Sequence, residues 1–273
     1  MKELFNLIKN KDDVYIEPVK YSGDKLSEKM KEIPQYLPKK NFSIYICGLP
    51  KSGKSTIIHS LLCGDGRKIR NQNKNKPKFY YKQFDKVFIF SPSIATQEKP
   101  FKLPPEQIYN DYHPEILEDI ITELKEDDNK NCCFLFDDVI KSLNRNGGEN
   151  SRILHKLLLN RRHILFNPND TDAENIAGCS SIISSQRFNL LPAYIRQSGI
   201  SHLILLKINS QKDLNGIWEE VANEMPFNKF KNICKFCWNE PHNFLYIILG
   251  ESINKKYHKN FDLIDIDEDY LED

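Results

Sequence analysis

The chain has 273 residues, of which 40% are apolar, and this is enough for one large α/β domain with appendages. Its net charge of +1 excludes a strongly basic nucleic-acid binder, so any contact with DNA has to come from local charge. The seven cysteines are irregularly spaced, and no apolar run has the length of a signal peptide or a membrane span. We therefore expect a disulfide-free protein of a reducing compartment, with no membrane span.

Strands and helices alternate after a polar lead-in. We expect strands near 43–47, 84–93, 132–139, 180–187, 201–208 and 243–250, and helices near 54–62, 114–128, 151–163 and 211–225. This alternation predicts an α/β fold of three layers with a central, mainly parallel sheet, whose ligands bind at the carboxyl ends of the strands. We expect a lead-in (1–41), a main domain (42–250) and an acidic tail (251–273) that is mobile at its end.

The first strand–helix junction carries the sequence GLPKSGKST, which fits the phosphate-binding pattern G-x-x-x-x-G-K-[ST] at every fixed position. The glycines allow a turn whose backbone N–H groups point at phosphate oxygens, and the helix N-terminus adds its dipole. Lys54 is expected to reach the β- and γ-phosphates of ATP, and Ser55 to bind Mg²⁺. The predicted nucleotide-binding residues are Gly48, Pro50, Lys51, Ser52, Gly53, Lys54, Ser55 and Thr56.

Polar residues end two later strands. The apolar run CCFLFD ends in Asp137, which we expect to hold Mg²⁺, and Asp138 follows as a base that polarises the attacking water. The strand SSIISSQ ends in Gln186, which is placed to touch both the γ-phosphate and the water if its strand lies beside the P-loop strand. The sequence thus predicts an ATP hydrolysis site.

The order of the strands separates classes of P-loop protein. The strand FDKVFIFS lies in the chain between the P-loop strand and the Asp137 strand, which is typical of the RecA-like division that includes FtsK-like pumps. In simple nucleotide kinases those two strands are neighbours in space. GTPase-like patterns also occur at residues 10–13 (N-K-x-D) and 213–216 (D-x-x-G), but Asp213 follows a polar segment, and we treat both as chance matches.

With these residues assembled, the chain resembles the genome-packaging ATPases of large DNA viruses and virophages, in the FtsK/HerA superfamily. The resemblance depends on GLPKSGKST, FDKVFIFSPS, FLFDDV, LLLNRRH and SIISSQRFNLLPAYIRQSGISHLILLKIN, which occur in the family's order over roughly residues 42–225. It implies a RecA-like ATPase that drives double-stranded DNA into a preformed capsid. It also implies a homo-oligomeric ring, a pentamer or hexamer, in the host cytoplasm or a viral factory, or in the virion.

The resemblance further implies that an arginine of one subunit completes the site of its neighbour. Arg162, in the Arg-His pair of LLLNRRH, is the first candidate for this catalytic role, and Arg161 and Arg196 are the alternates. A cation in that position would stabilise charge in the transition state. A helix-end arginine without this role is an equally open interpretation.

Two further segments carry competing interpretations. The basic and aromatic stretch 65–83 either contacts DNA phosphates without reading sequence or is a solvated loop that leads into the next strand. Cys234, Cys237 and His242 lack a fourth ligand nearby, so two buried thiols on a helix are favoured over a zinc site.

The sequence is also compatible with three other functions. They are a different DNA pump or helicase of the same superfamily, a small-molecule kinase, and a nucleotide-gated assembly protein without catalysis. An intact set of Lys54, Asp137 and Asp138 argues against the last of these.

Overall fold

The computed structural model describes residues 28–31, 33–63, 79–94, 101–127, 131–143, 150–167 and 178–267. Its strands are β1 (Ser43–Cys47), β2 (Lys86–Phe90), β3 (Ile108–Tyr109), β4 (Cys132–Asp137), β5 (Cys179–Ser185), β6 (His202–Leu206), β7 (Phe244–Ile248), β8 (Tyr257–Lys259) and β9 (Asp262–Leu263). Its helices are α1 (Glu28–Lys31), α2 (Lys54–Cys63), α3 (Pro114–Glu126), α4 (Ile140–Leu143), α5 (Ser151–Leu159), α6 (Ala193–Gly199), α7 (Gln211–Val221), α8 (Phe227–Cys237) and α9 (Ile253–Lys256).

The strands of the described ranges form one nine-stranded sheet in the order β3-β2-β4-β5-β1-β6-β7-β8-β9. The strands from β3 to β6 in that order run parallel, and β7, β8 and β9 continue it with antiparallel pairs. Strand β5 lies between β1 and β4, so the P-loop strand and the Asp137 strand are not neighbours in space. This arrangement confirms the predicted RecA-like α/β class.

Helices cover both faces of the sheet, which gives the predicted three layers. The central strands β1, β4 and β5 are buried along their whole length, as expected for parallel strands packed on both sides. On one face α2 packs with residues of the lead-in, and on the other α3, α5 and α7 pack against an aromatic ladder. The rings of that ladder come from neighbouring strands, with the centroids of Phe90 and Phe136 5.3 Å apart.

The described part of the lead-in packs on the core of the main domain. Met30, Ile33 and Leu37 are buried in the cluster that contains Leu61 of α2 and Ile46 of β1. Residues before and after position 41 thus share one hydrophobic cluster. The division of the chain at residues 41 and 250 stays a prediction.

The sheet also continues into the segment expected as an acidic tail. Strands β8 and β9 extend it beyond residue 250, and Asp262 pairs with Lys259 at the sheet edge. The start of the stretch expected to be mobile is thus part of the sheet, and residues 268–273 lie outside the described residues. Within the described ranges, no helix has the length and apolar character needed to cross a bilayer.

Candidate active site

The P-loop turns sharply between β1 and α2. Gly53 has a φ of 111° and Lys51 a φ of 63°, so the backbone is left-handed at both positions. A Cβ on Gly48 would lie 2.7 Å from the Cβ of Leu206. Only a glycine at this position allows the loop to lie so close to β6. The Gly48 N–H donates to the Ser185 carbonyl over 3.1 Å, which joins the loop to the end of β5.

The lysine of the loop lies inside it. The Lys54 side chain is buried, and its ammonium donates to the carbonyls of Gly48 (2.7 Å) and Leu49 (3.3 Å). The Ser52 hydroxyl is buried without a partner in the described structure, whereas Pro50, Lys51, Ser55 and Thr56 are not buried. The loop therefore keeps a cationic centre, to which phosphate oxygens can bind from the exposed side.

Two serine hydroxyls hold the Asp137 carboxylate at the end of β4. Ser184 of β5 donates to Oδ1, and Ser91, directly after β2, donates to Oδ2 over 3.1 Å. Ser184 is the register partner of Asp137, and Ser91 follows the partner of Phe136, so the three residues stand in one row across the sheet. Sequence reasoning missed both serines, although each stands at a strand end.

Asp138 is the next residue, and it leaves the strand with a φ of 54°. Its N–H donates to the Ser184 hydroxyl over 3.3 Å, and its carboxylate accepts a hydrogen bond from Gln186. Burial raises the pKa of Asp138 above its ordinary value, and Asp137 adds to this, whereas Lys54 and the Gln186 hydrogen bond oppose it. The structure thus brings Lys54, Asp137, Asp138 and Gln186 together at one end of the sheet, and their roles in catalysis stay predictions.

The donor set fits Mg²⁺ better than a softer metal. Ser55 and Asp137 offer hydroxyl and carboxylate oxygens, the hard ligands that Mg²⁺ prefers. Among the described residues, no group of three or more His, Cys, Asp and Glu side chains is arranged to hold a metal. In nucleotide sites Mg²⁺ takes one or two protein ligands and completes its shell with phosphate and water.

Arg162 lies near the amino ends of the parallel strands, at the opposite end from the P-loop. The preceding residue, Arg161, donates through Nε to the Asn41 carbonyl (2.7 Å) and accepts at its own carbonyl from Cys179 N–H, where β1 and β5 begin. A five-residue strand rises about 16 Å, so the exposed Arg162 cannot reach the P-loop of its own chain.

The two alternate arginines have structural contacts within the chain. Arg161 also donates to the Leu158 carbonyl over 2.9 Å. Arg196 is buried and binds Glu220 and the Leu191 carbonyl. Of the three arginines, Arg162 is the most exposed.

The residues of the possible zinc site do not converge. Cys234 and Cys237 are buried in α8, and burial raises the pKa of both thiols, that of Cys237 to about 12. They are two buried thiols on a helix, as favoured from the sequence. His242 instead lies beside the P-loop, where its Nδ1 is 3.1 Å from the Ser52 carbonyl.

The remaining sequence candidates divide between described and undescribed parts of the chain. Asp213 of the D-x-x-G match lies in the first turn of α7, where Arg187 binds it over 2.8 Å, and residues 10–13 lie outside the described residues. The basic residues 64–78 are also outside them. The aromatic end of that stretch belongs to the core, because Tyr80 is buried and its ring centroid lies 4.9 Å from that of Phe42.

Comparison with known proteins identifies the fold. No protein-family model matches the sequence, and no curated protein matches it in a sequence search. Among solved structures, the genome packaging NTPase B204 from Sulfolobus turreted icosahedral virus 2, in complex with sulfate, matches with a TM-score of 0.53 and 14% identity over 82% of this chain and 98% of that one. The same protein in complex with AMPPCP matches with a TM-score of 0.50 and 14% identity, over 81% and 98%.

At this identity the similarity concerns the fold. The chain has the α/β fold of a viral genome-packaging P-loop NTPase, which confirms the predicted fold class and, at the level of the fold, the predicted resemblance.

Proposed function

We propose that the protein is an ATPase whose site lies at the carboxyl ends of β1, β4 and β5. The observation that carries this proposal is that β5 joins the phosphate-binding loop to the two carboxylates: its Ser185 carbonyl accepts from Gly48, and its Ser184 hydroxyl binds Asp137 and the Asp138 N–H. A phosphate-binding loop alone supports only nucleotide binding. A carboxylate with a raised pKa beside it adds a base for water.

Each residue has a defined part in the proposed reaction. The P-loop N–H groups and Lys54 bind the β- and γ-phosphates, while Asp138 accepts the proton of the attacking water and Gln186 orients that water. Ser55 and Asp137 would hold Mg²⁺, which neutralises charge on the phosphates when bound. The hydroxyls of Ser91 and Ser184 keep Asp137 in one orientation.

We further propose that hydrolysis drives double-stranded DNA into a viral capsid at its packaging vertex. The fold shared with a viral packaging NTPase supports this, as does the exposed position of Arg162 at a distance from the P-loop of its own chain. A ring of five or six copies would place such an arginine at each site. The host cytoplasm or a viral factory is where such a motor would act, and the virion could retain it.

The decisive experiment measures ATP hydrolysis by the purified protein with and without double-stranded DNA. We expect hydrolysis that DNA stimulates, and a loss of about 10²-fold or more in Asp138→Asn with nucleotide binding retained. Because Asp138 must be deprotonated and its pKa is raised, the acid limb of the wild-type rate should lie at higher pH than for an ordinary aspartate.

Other outcomes would point elsewhere. Absence of hydrolysis under both conditions would contradict the ATPase. Hydrolysis that ignores DNA, together with phosphate transfer to a small acceptor, would support the kinase. Stimulation by single-stranded DNA alone would favour a helicase over a packaging motor.

A further inference from the structure

His242 contacts the P-loop from outside. Its Nδ1 lies 3.1 Å from the Ser52 carbonyl oxygen, and a Cβ on Gly53 would stand 3.3 Å from the same nitrogen. His242 itself has a left-handed backbone with a φ of 68°, in the turn before β7. The contact joins the antiparallel part of the sheet to the phosphate-binding loop.

The chemistry of this contact fixes the direction of the bond. A carbonyl oxygen only accepts, so the Nδ1 of His242 must carry the hydrogen and donate it. The Ser52–Gly53 peptide is planar and trans, so its N–H points opposite to its carbonyl. With the carbonyl held toward His242, the Gly53 N–H points away from His242.

We propose that His242 is a positioning residue that fixes the Ser52–Gly53 peptide so that the Gly53 N–H donates to a phosphate oxygen. This inference rests on the proposed nucleotide binding and deepens it. A backbone N–H fixed before the ligand arrives binds an anion without the cost of ordering a glycine, the residue with the greatest backbone freedom.

The turn that carries His242 is itself held by hydrogen bonds. On one side Trp238 donates through Nε1 to the Leu205 carbonyl over 2.9 Å, at the end of β6. On the other, Asn260 donates to Asn243 Oδ1 over 3.2 Å and accepts from the Phe244 N–H over 3.1 Å. The β8–β9 turn therefore holds the turn that carries His242, and His242 in turn contacts the P-loop. This explains how His242, which is distant from Ser52 in sequence, can position it.

The test compares three variants in binding assays with Mg²⁺. A fluorescent ATP analogue reports the dissociation constant, and inorganic tripolyphosphate, which has no base, competes with it. We expect His242→Ala to weaken both ligands by the same factor, about 3- to 10-fold, the loss of one hydrogen bond's contribution. His242→Asn, which keeps an N–H donor near the position of Nδ1, should restore most of the affinity.

The control variant is His113→Ala, which removes another exposed histidine and should leave the dissociation constants of both ligands unchanged. Unchanged binding in a folded His242→Ala, or a loss for the ATP analogue without a loss for tripolyphosphate, would overturn the inference while the proposed function stands. Failure of the wild type to bind either ligand would overturn the proposed function, and the inference with it.

Folding of the variant is checked by thermal unfolding. Should His242→Ala not fold, Asn260→Ala takes its place, because it loosens the supporting turn while leaving the imidazole intact. We expect a smaller weakening of both ligands in that variant, and equal affinity to wild type would again overturn the inference.

Discussion

The parallel strands have their carboxyl ends at one edge of the sheet, the carboxyl edge, and their amino ends at the opposite one, the amino edge. The two edges use polar residues in different ways. At the carboxyl edge, Lys51, Gly53, Asp138 and His242 all have positive φ, and a lysine and two carboxylates stand close together. At the amino edge, polar groups bind the backbone of neighbouring segments: the Ser43 hydroxyl donates to the carbonyl of Gly199, the last residue of α6.

The difference between the two edges is mainly one of charge, because a left-handed residue also stands at the amino edge, where Asn41 has a φ of 51°. Left-handed backbone at non-glycine residues costs free energy, and it persists where the surrounding structure holds it in place. At Asn41 that support is local: Arg161 donates to the Asn41 carbonyl over 2.7 Å, and Ser201 donates to the nearby Ser43 carbonyl over 3.0 Å. Changes at the two edges should therefore affect different measurements.

The largest effect is expected from Arg162, which lies at the amino edge. A catalytic role for Arg162 would mean that this edge is not purely structural. If it completes a neighbour's site, Arg162→Ala should lower the hydrolysis rate about 10³-fold in the assembled protein, because a cation in the transition state is lost. Thermal unfolding should change little, since the side chain is exposed. Steady-state hydrolysis and a melting curve measure the two effects.

Mixing subunits tests whether Arg162 acts across an interface. Lys54→Ala and Arg162→Ala subunits together should recover activity above either variant alone, because some interfaces then pair an intact loop with an intact arginine. Arg152→Ala, exposed on the preceding helix, is the matched control. A mixture no more active than its parts would leave the amino edge without a catalytic residue.

A smaller effect is expected at the carboxyl edge from Ser184→Ala. The change removes the donor to Asp137 and the acceptor for the Asp138 N–H. We expect the hydrolysis rate to fall about 10-fold and the Mg²⁺ concentration for half-maximal rate to rise, because a freed carboxylate holds the ion less well. Hydrolysis measured against Mg²⁺ concentration checks this.

The same strand offers a control for Ser184. Ser181 is buried near the amino end of β5, and its hydroxyl has no partner in the described structure. Ser181→Ala should leave the Mg²⁺ dependence at the wild-type value. Equal responses of the two serine variants would mean that Ser184 acts through packing alone.

The smallest effect is expected at the amino edge, on stability against pH. Burial, followed by Arg161 and His258, lowers the pKa of His202 to about 4. An unfolded histidine titrates near 6.5, so between pH 6.5 and 4 the unfolded state binds the proton and the folded state does not. The free energy of unfolding should therefore decrease as pH falls through this window, and less so in His202→Gln.

Chemical denaturation at several pH values measures that difference. The exposed His113→Gln should keep the wild-type pH dependence. Identical slopes in His202→Gln and the wild type would mean that other groups account for the acid sensitivity of this edge.

Much of the carboxyl edge could be predicted because its signals are local. The P-loop pattern is contiguous, Asp137 and Asp138 end an apolar run, and Gln186 follows a second predicted strand, so parallel strands bring them to one edge. These residues met in the structure as expected. The role of each side chain in catalysis stays a prediction.

The parts that sequence did not predict depend on register between distant strands. Ser91 and Ser184 reach Asp137 only because β2, β4 and β5 pair in one alignment, which no single run of residues encodes. His242 reaches Ser52 across 190 positions of sequence, through an antiparallel turn. In CKFCWNEPH the sequence offered His242 only as a disfavoured zinc ligand, and tertiary contacts place it at the P-loop.

One strand, β5, supports both halves of the site. Its Ser185 carbonyl accepts from Gly48 of the P-loop, and its Ser184 hydroxyl binds Asp137 and Asp138. We therefore expect the two halves to be thermodynamically coupled. A double-mutant cycle between the two halves should give a combined effect that differs from the sum of the single effects, and, on the proposed function, a shift of this strand should alter nucleotide binding and water activation together.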